Sequence, residues 1–91
     1  MFDFVTLVAE FLGTFLLVLS FLASGGNPFV IGGTLAVVGL LTGKLSGGHI
    51  NPAVSMAVYV KGGLSMGELF AYTASQLLGG IASLYTYRVF A

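Results

Sequence analysis

The stretch Lys44-Leu45-Ser46-Gly47-Gly48-His49-Ile50-Asn51-Pro52-Ala53-Val54-Ser55-Met56-Ala57-Val58-Tyr59-Val60-Lys61 changes character at its middle. From Lys44 to Ile50 the glycine pair and the polar residues around it do not suit a regular helix, and the segment reads as a loop. At Asn51 a helix begins. Asparagine is a preferred N-cap, and proline is favoured at the first helical position because its missing N–H is not needed there. The apolar run lasts only from Asn51 to Val60, ten residues, before Lys61-Gly62-Gly63-Leu64-Ser65 breaks it. A helix of that length measures about 15 Å, half of the ~30 Å core of a bilayer. A loop feeding a half-length apolar helix is the pattern of a re-entrant segment, over about residues 46–60.

The flanking sequence supplies the spans that such a segment needs. Phe4 to Ala23 is a 20-residue apolar run in which Glu10 is the one charge, and about 20 residues cross a bilayer core. Ser24-Gly25-Gly26-Asn27-Pro28 reads as a turn, its glycines and proline ending the helix. Phe29 to Gly43, reaching at most Leu45, gives a short second span rich in glycine and β-branched residues, which membrane helices tolerate. Met66 to Phe90 gives a third span of 25 residues, interrupted by Glu68, Gln76 and Arg88. The expected fold is an all-α integral membrane protein, one unit over residues 1–91. Three transmembrane helices (about 4–23, 29–45 and 66–90) accompany one re-entrant half-helix.

Composition agrees with this reading. The chain of 91 residues is 57% hydrophobic and 7% charged, with zero net charge, whereas soluble domains carry about 25% charged residues. Disorder needs low hydrophobicity and high charge. Three Lys and Arg residues leave no nucleic-acid footprint. The absence of cysteine excludes disulfides, a thiolate nucleophile and a zinc cluster. One histidine far in sequence from the carboxylates argues against a metal site. No nucleophile–base pair or cofactor loop is present, so neither an enzyme nor a bound cofactor is expected. The N-terminus lacks the basic start of a secretory signal, and its apolar run is too long for one.

The polar residues inside the apolar runs carry the functional expectations. A re-entrant helix places its positive N-terminus and the Asn51 amide near the bilayer midplane, where they attract oxygen lone pairs and oppose cations. Gly47, Gly48, His49 and Ile50 form irregular backbone, which at membrane depth must be buried in protein or line a water-filled cavity. Their carbonyls then make a ladder of acceptors, and glycine lets a solute approach it. His49 reads as a structural residue that fixes the loop, with proton gating as the alternative. Glu10 shares a helix face with Thr6 and Thr14, four residues to either side. An intramembrane carboxylate faces protein or water. Glu10 is expected to accept hydrogen bonds from loop N–H groups rather than to relay protons, and Gln76 invites the same reading. Ala71, Ser75, Gly79 and Ser83, together with Gly39 and Gly43 and with Ala9 and Gly13, are spaced by four, as on helix-packing faces. The stripe on the third span is longer than one partner helix requires, and another chain is a candidate for the rest.

Ser46-Gly47-Gly48-His49-Ile50-Asn51-Pro52-Ala53-Val54-Ser55 resembles the signature of the aquaporin and glycerol-facilitator (major intrinsic protein) family. Ala9-Glu10-Phe11-Leu12-Gly13-Thr14-Phe15 and Ser75-Gln76-Leu77-Leu78-Gly79-Gly80 resemble its first- and third-helix motifs. The resemblance covers essentially the whole chain but only the first half of a family member, whose two halves run in inverted topology. It implies that the carbonyls of Gly47, Gly48, His49 and Ile50 and the amide of Asn51, with Pro52 and Ala53, line a pore braced by Glu10 and Gln76. It places the second-helix filter position on Ile31, twenty residues before Asn51, where water-selective members carry an aromatic residue. Val54 stands where a second-half motif would hold the filter arginine.

Three spans and one half-helix do not enclose a pore, so a second half is expected beside the membrane lipid. It is either another copy inserted in the opposite orientation or a different membrane chain. The expected function is that of a channel subunit for water or small neutral solutes, and the alternative is a non-conducting structural subunit of a larger membrane complex.

Overall fold

The computed structural model describes residues 3–91; residues 1 and 2 of the expected unit lie outside the described residues. Four helices follow one another: α1 (Phe4–Ser24), α2 (Pro28–Ser46), α3 (Pro52–Val60) and α4 (Met66–Phe90). Among the described residues there is no strand. α1 and α2 are each long and apolar enough to cross a membrane. α4 has the length, 25 residues, and is more polar than either.

Each helix begins on a side-chain cap. Asp3 accepts from the Thr6 N–H at 2.9 Å, Asn27 from Phe29 and Val30, Asn51 from Ala53, and Ser65 from Glu68 in a reciprocal capping box. Two boundaries differ from the sequence reading. Asn27-Pro28, read as the end of a turn, is an N-cap and first helical residue, the same device as Asn51-Pro52. α2 also continues through Lys44 and Leu45 to Ser46. Its C-cap is Gly47, whose φ of 87° puts it in the left-handed region that ends a helix cheaply only at glycine. Both shifts lengthen the second span to 19 residues.

α1 is the central element, packed against α2 on one side and α4 on the other, while α3 leans on α4. The α1–α4 approach depends on Gly79: a Cβ there would meet the Phe11 carbonyl oxygen and come within 3.2 Å of the Phe15 nitrogen. In lipid such closeness is the source of helix association, because burial from water does not drive it. Gly39 and Gly43 are not at a close helix contact, because a Cβ at either would meet nothing within 4 Å; a Cβ at the loop residue Gly48 would come within 3.6 Å of the Gly39 oxygen and the Gly43 Cα. Leu12, Leu16, Phe21, Phe29, Leu40, Leu41, Phe70 and Phe90 are all exposed, an outer surface suited to lipid.

Candidate functional site

The buried interior is polar. Glu10, Thr6, Ser55 and Ser83 are fully buried, and Gln76 is 1% exposed. Glu10 is the hub. Its Oε2 accepts from the Ser46 hydroxyl at 2.6 Å and the His49 N–H at 3.0 Å. Its Oε1 accepts from the Ile50 N–H at 2.8 Å and Gln76 Nε2 at 2.8 Å. Four donors fill the acceptor sites of one carboxyl group, so the buried acid is satisfied without water.

The loop between α2 and α3 is shaped around that carboxylate. Gly47, Gly48 and Ile50 have φ of 87°, 64° and 60°. With these dihedrals the N–H groups of Gly48, His49 and Ile50 all turn inward, the first to Ser46 Oγ at 3.3 Å and the others to Glu10. Successive N–H groups converging on an anion form a nest. For β-branched Ile50 the left-handed conformation is strained by about 1–2 kcal/mol. Its surroundings hold it there. Its carbonyl accepts from the Thr14 hydroxyl at 3.2 Å, and its side chain fills the slot left by the missing Cβ of Gly13.

Further bonds fix both ends of the loop. The Tyr72 hydroxyl donates to the Ser46 carbonyl at 2.7 Å, and the Thr6 hydroxyl to the Leu45 carbonyl at 3.0 Å. Gln76 Nε2 also donates to Ser55 Oγ at 2.9 Å, which lies 2.8 Å from His49 Nδ1. The His49 ring packs on Tyr72 with centroids 4.6 Å apart. Gln76 Oε1 is buried and has no partner among the described residues.

The residues singled out in the sequence fall into two groups. Glu10, Gln76, Gly48, His49 and Ile50 are joined in one network, with Gly47 as its hinge. Asn51 follows at the exposed edge, its Oδ1 accepting from the Ala53 N–H at 2.7 Å; its Nδ2 hydrogens have no acceptor among the described residues. An apolar groove of about 450 Å³ runs beside Asn51 and Pro52, bounded by Thr14, Leu77 and Ile81. Ala53 and Val54 lie exposed in the first turn of α3. Ile31, half-buried in the first turn of α2, is not among the residues that border this groove. The Ile50 carbonyl departs from the expected ladder, since Thr14 engages it and the residue is buried. The carbonyls of Gly47, Gly48 and His49 accept no hydrogen bond from the described residues.

Ser46, Ser55, Thr14 and Tyr72 were not singled out in the sequence as partners of the loop. The hint for Thr14 was its place on the Glu10 face. For Ser46 and Ser55 it was their nearness to the glycine pair and to Asn51.

Comparison with known proteins places this arrangement. Aquaporin Z of Brucella melitensis is 36% identical over 91 aligned positions, covering 85% of this chain and 40% of that protein. Aquaglyceroporin AqpS of Rhizobium meliloti is 37% identical over 90 positions, covering 82% and 39%. Mouse aquaporin-8 is 42% identical over 83 positions, covering 85% and 32%. The chain thus spans 32% to 40% of the length of these relatives. The sequence profile described as major intrinsic protein matches residues 3–90, and the chain belongs to that family.

Proposed function

We propose that this chain forms one half of a pore for water and small neutral solutes. Family membership makes it an integral membrane protein of a transport family rather than an enzyme. In this reading residues 1–91 are one half-repeat. α1, α2 and α4 span the bilayer, and the 47–51 loop and α3 enter from one face and stop near the midplane. Chain order then puts Lys44 and Lys61 on one face and Arg88 on the other. Such a bias is weak under the positive-inside rule, and both orientations are accessible.

The observation that carries the reading is the row of carbonyls at Gly47, Gly48 and His49, left without donors while the neighbouring N–H groups are turned inward to Ser46 and Glu10. A water molecule passing along such a row exchanges its hydration partners for carbonyl oxygens. At the end of the row Asn51 Nδ2 offers a donor, and the N-terminus of α3 opposes cations.

Irregular backbone of this kind does not face lipid, so a second half covers it. For residues 1–91 acting by themselves, that half is a second copy inserted oppositely or a different chain with its own Asn-Pro-Ala. The apolar groove beside Asn51 gives it a surface.

Stopped-flow shrinkage of proteoliposomes containing this chain alone, first with an impermeant osmolyte and then with glycerol, tests the proposal. Fast flux of low activation energy, above that of empty liposomes, supports a pore assembled from copies of the chain. No flux from inserted protein overturns self-assembly and leaves completion by a different chain. A cysteine placed at Lys61 reports orientation, because the chain has no cysteine of its own. Labelling from both faces accompanies antiparallel pairing, and labelling from one face excludes it.

A further inference from the structure

We propose that Ser55 is a positioning residue that locks His49 in one tautomer, so that the imidazole offers an Nε2–H donor beside the free carbonyl row. That the donor serves a passing solute rests on the pore reading; the tautomer itself rests on hydrogen-bond accounting alone.

The accounting begins at Glu10. An ionised carboxylate only accepts, so the Gln76 atom 2.8 Å from Glu10 Oε1 is the amide nitrogen. The same nitrogen lies 2.9 Å from Ser55 Oγ and donates to it. Ser55 has one hydroxyl hydrogen to place, among the described residues its one acceptor in reach is His49 Nδ1 at 2.8 Å, and a buried O–H left without an acceptor is costly. The hydroxyl therefore donates to Nδ1, Nδ1 carries no proton, and the neutral ring holds its hydrogen on Nε2. Ser55 is fully buried and Gln76 is 1% exposed, so water does not compete for either bond. The Tyr72 ring holds the imidazole plane from the other side, with its own hydroxyl committed to the Ser46 carbonyl. His49 Nε2 makes no bond to a described residue and lies 3.4 Å from where a Gly47 Cβ would stand. The row thus presents acceptors flanked by two fixed donors, His49 Nε2–H and Asn51 Nδ2. That pattern suits a neutral hydroxyl-bearing solute, which must both give and receive.

The test is ¹⁵N NMR of the chain labelled at histidine, in bilayers, at a pH where imidazole is neutral. With one histidine in the chain, a single ring contributes. The expected wild-type spectrum shows the proton on Nε2 and Nδ1 as a bare, hydrogen-bonded acceptor. Ser55→Ala should shift Nδ1 to a free acceptor. Gln76→Met, which leaves Nδ1 as the one acceptor in reach of the Ser55 hydroxyl, should keep the proton on Nε2. A wild-type Nδ1–H, ring signals unchanged by Ser55→Ala, or an Nδ1–H tautomer in Gln76→Met overturns the proposal. Absence of flux in wild-type protein with the expected spectrum counts against the self-assembled pore and leaves the role of Ser55 standing.

Discussion

The chain starts a helix with Asn-Pro twice, and the two starts have different surroundings. At Asn27-Pro28 the asparagine caps two N–H groups, and the preceding Gly25-Gly26 turn is tied only to α1 and to Ser24 close by. At Asn51-Pro52 the asparagine caps one, and the preceding residues are tied to α1 and α4 by bonds spanning 26 to 40 residues. The local motif is a helix start in both places. What makes the second a candidate site is the long-range polar network behind it, above all the Glu10 carboxylate.

Removing Glu10 should separate the two starts most sharply. Glu10→Ala strands the N–H groups of His49 and Ile50, at about 1–3 kcal/mol for each buried donor left unmade. Amide exchange at residues 48–50 should accelerate strongly while Phe29 and Val30 are unaffected. Wild-type protection of the loop would show that the carboxylate is not its anchor.

Gly13→Ala attacks the same contrast through packing. A Cβ at Gly13 would collide with the Ile50 side chain and come within 3.0 Å of Val38 Cγ1, and overpacking of this kind costs about 1–3 kcal/mol. The unfolding midpoint in detergent should drop. The equivalent Gly33→Ala in α2, where no neighbour lies within 4 Å, should leave it in place.

Exchanging the caps sharpens the comparison further. Asn27→Ala and Asn51→Ala should each lower stability by a similar amount, about 0.5–2 kcal/mol, the usual loss on removing an N-cap. Only the second should change solute flux. Equal flux in the two variants would count against Asn51 as a pore residue.

The smallest effect belongs to a third start, Asp3 ahead of α1. Hydrogen bonds from the Thr6 N–H and then the Thr6 hydroxyl hold its carboxyl below the usual carboxylate range. The cap's contribution is therefore present above the unfolded value of about 3.9 and is lost as pH falls through the lower folded value. Faster exchange at Thr6 should appear only in that acid window, be absent from Asp3→Asn, and leave the 47–51 loop unchanged.

Legibility in the sequence followed the cost of the residue. Glu10 and Gln76 stood out because charge and amide are expensive inside an apolar run, and the half-length of α3 followed from the glycines that bound it. Asn27-Pro28 was hidden because Gly-Gly-Asn-Pro fits a turn as well as a cap. Ser55, Ser46, Thr14 and Tyr72 carry single hydroxyls, which an apolar helix tolerates anywhere. Only the folded arrangement, which brings Ser55 between Gln76 and His49, gives them partners. The free carbonyls of Gly47 to His49 were readable as irregular backbone. That Ile50 departs from the row depended on its pairing with Thr14, 36 residues earlier.

The distances along the chain from Glu10 to its partners bear on how the protein is made. Those partners lie 36, 39, 40 and 66 residues downstream. At a synthesis rate of about 5–20 residues per second, the last of them leaves the ribosome roughly 3–13 s after the carboxylate. Until Ser46 emerges α1 is an apolar helix whose acid, two turns from its start, has none of these partners, and until Gln76 emerges it lacks the last of them. Its last hydrogen bond must wait for α4, so α1 precedes α2, α3 and α4 in synthesis yet is not fully secured before them, and until α4 emerges the nascent segment depends on a sheltered, hydrated insertion route.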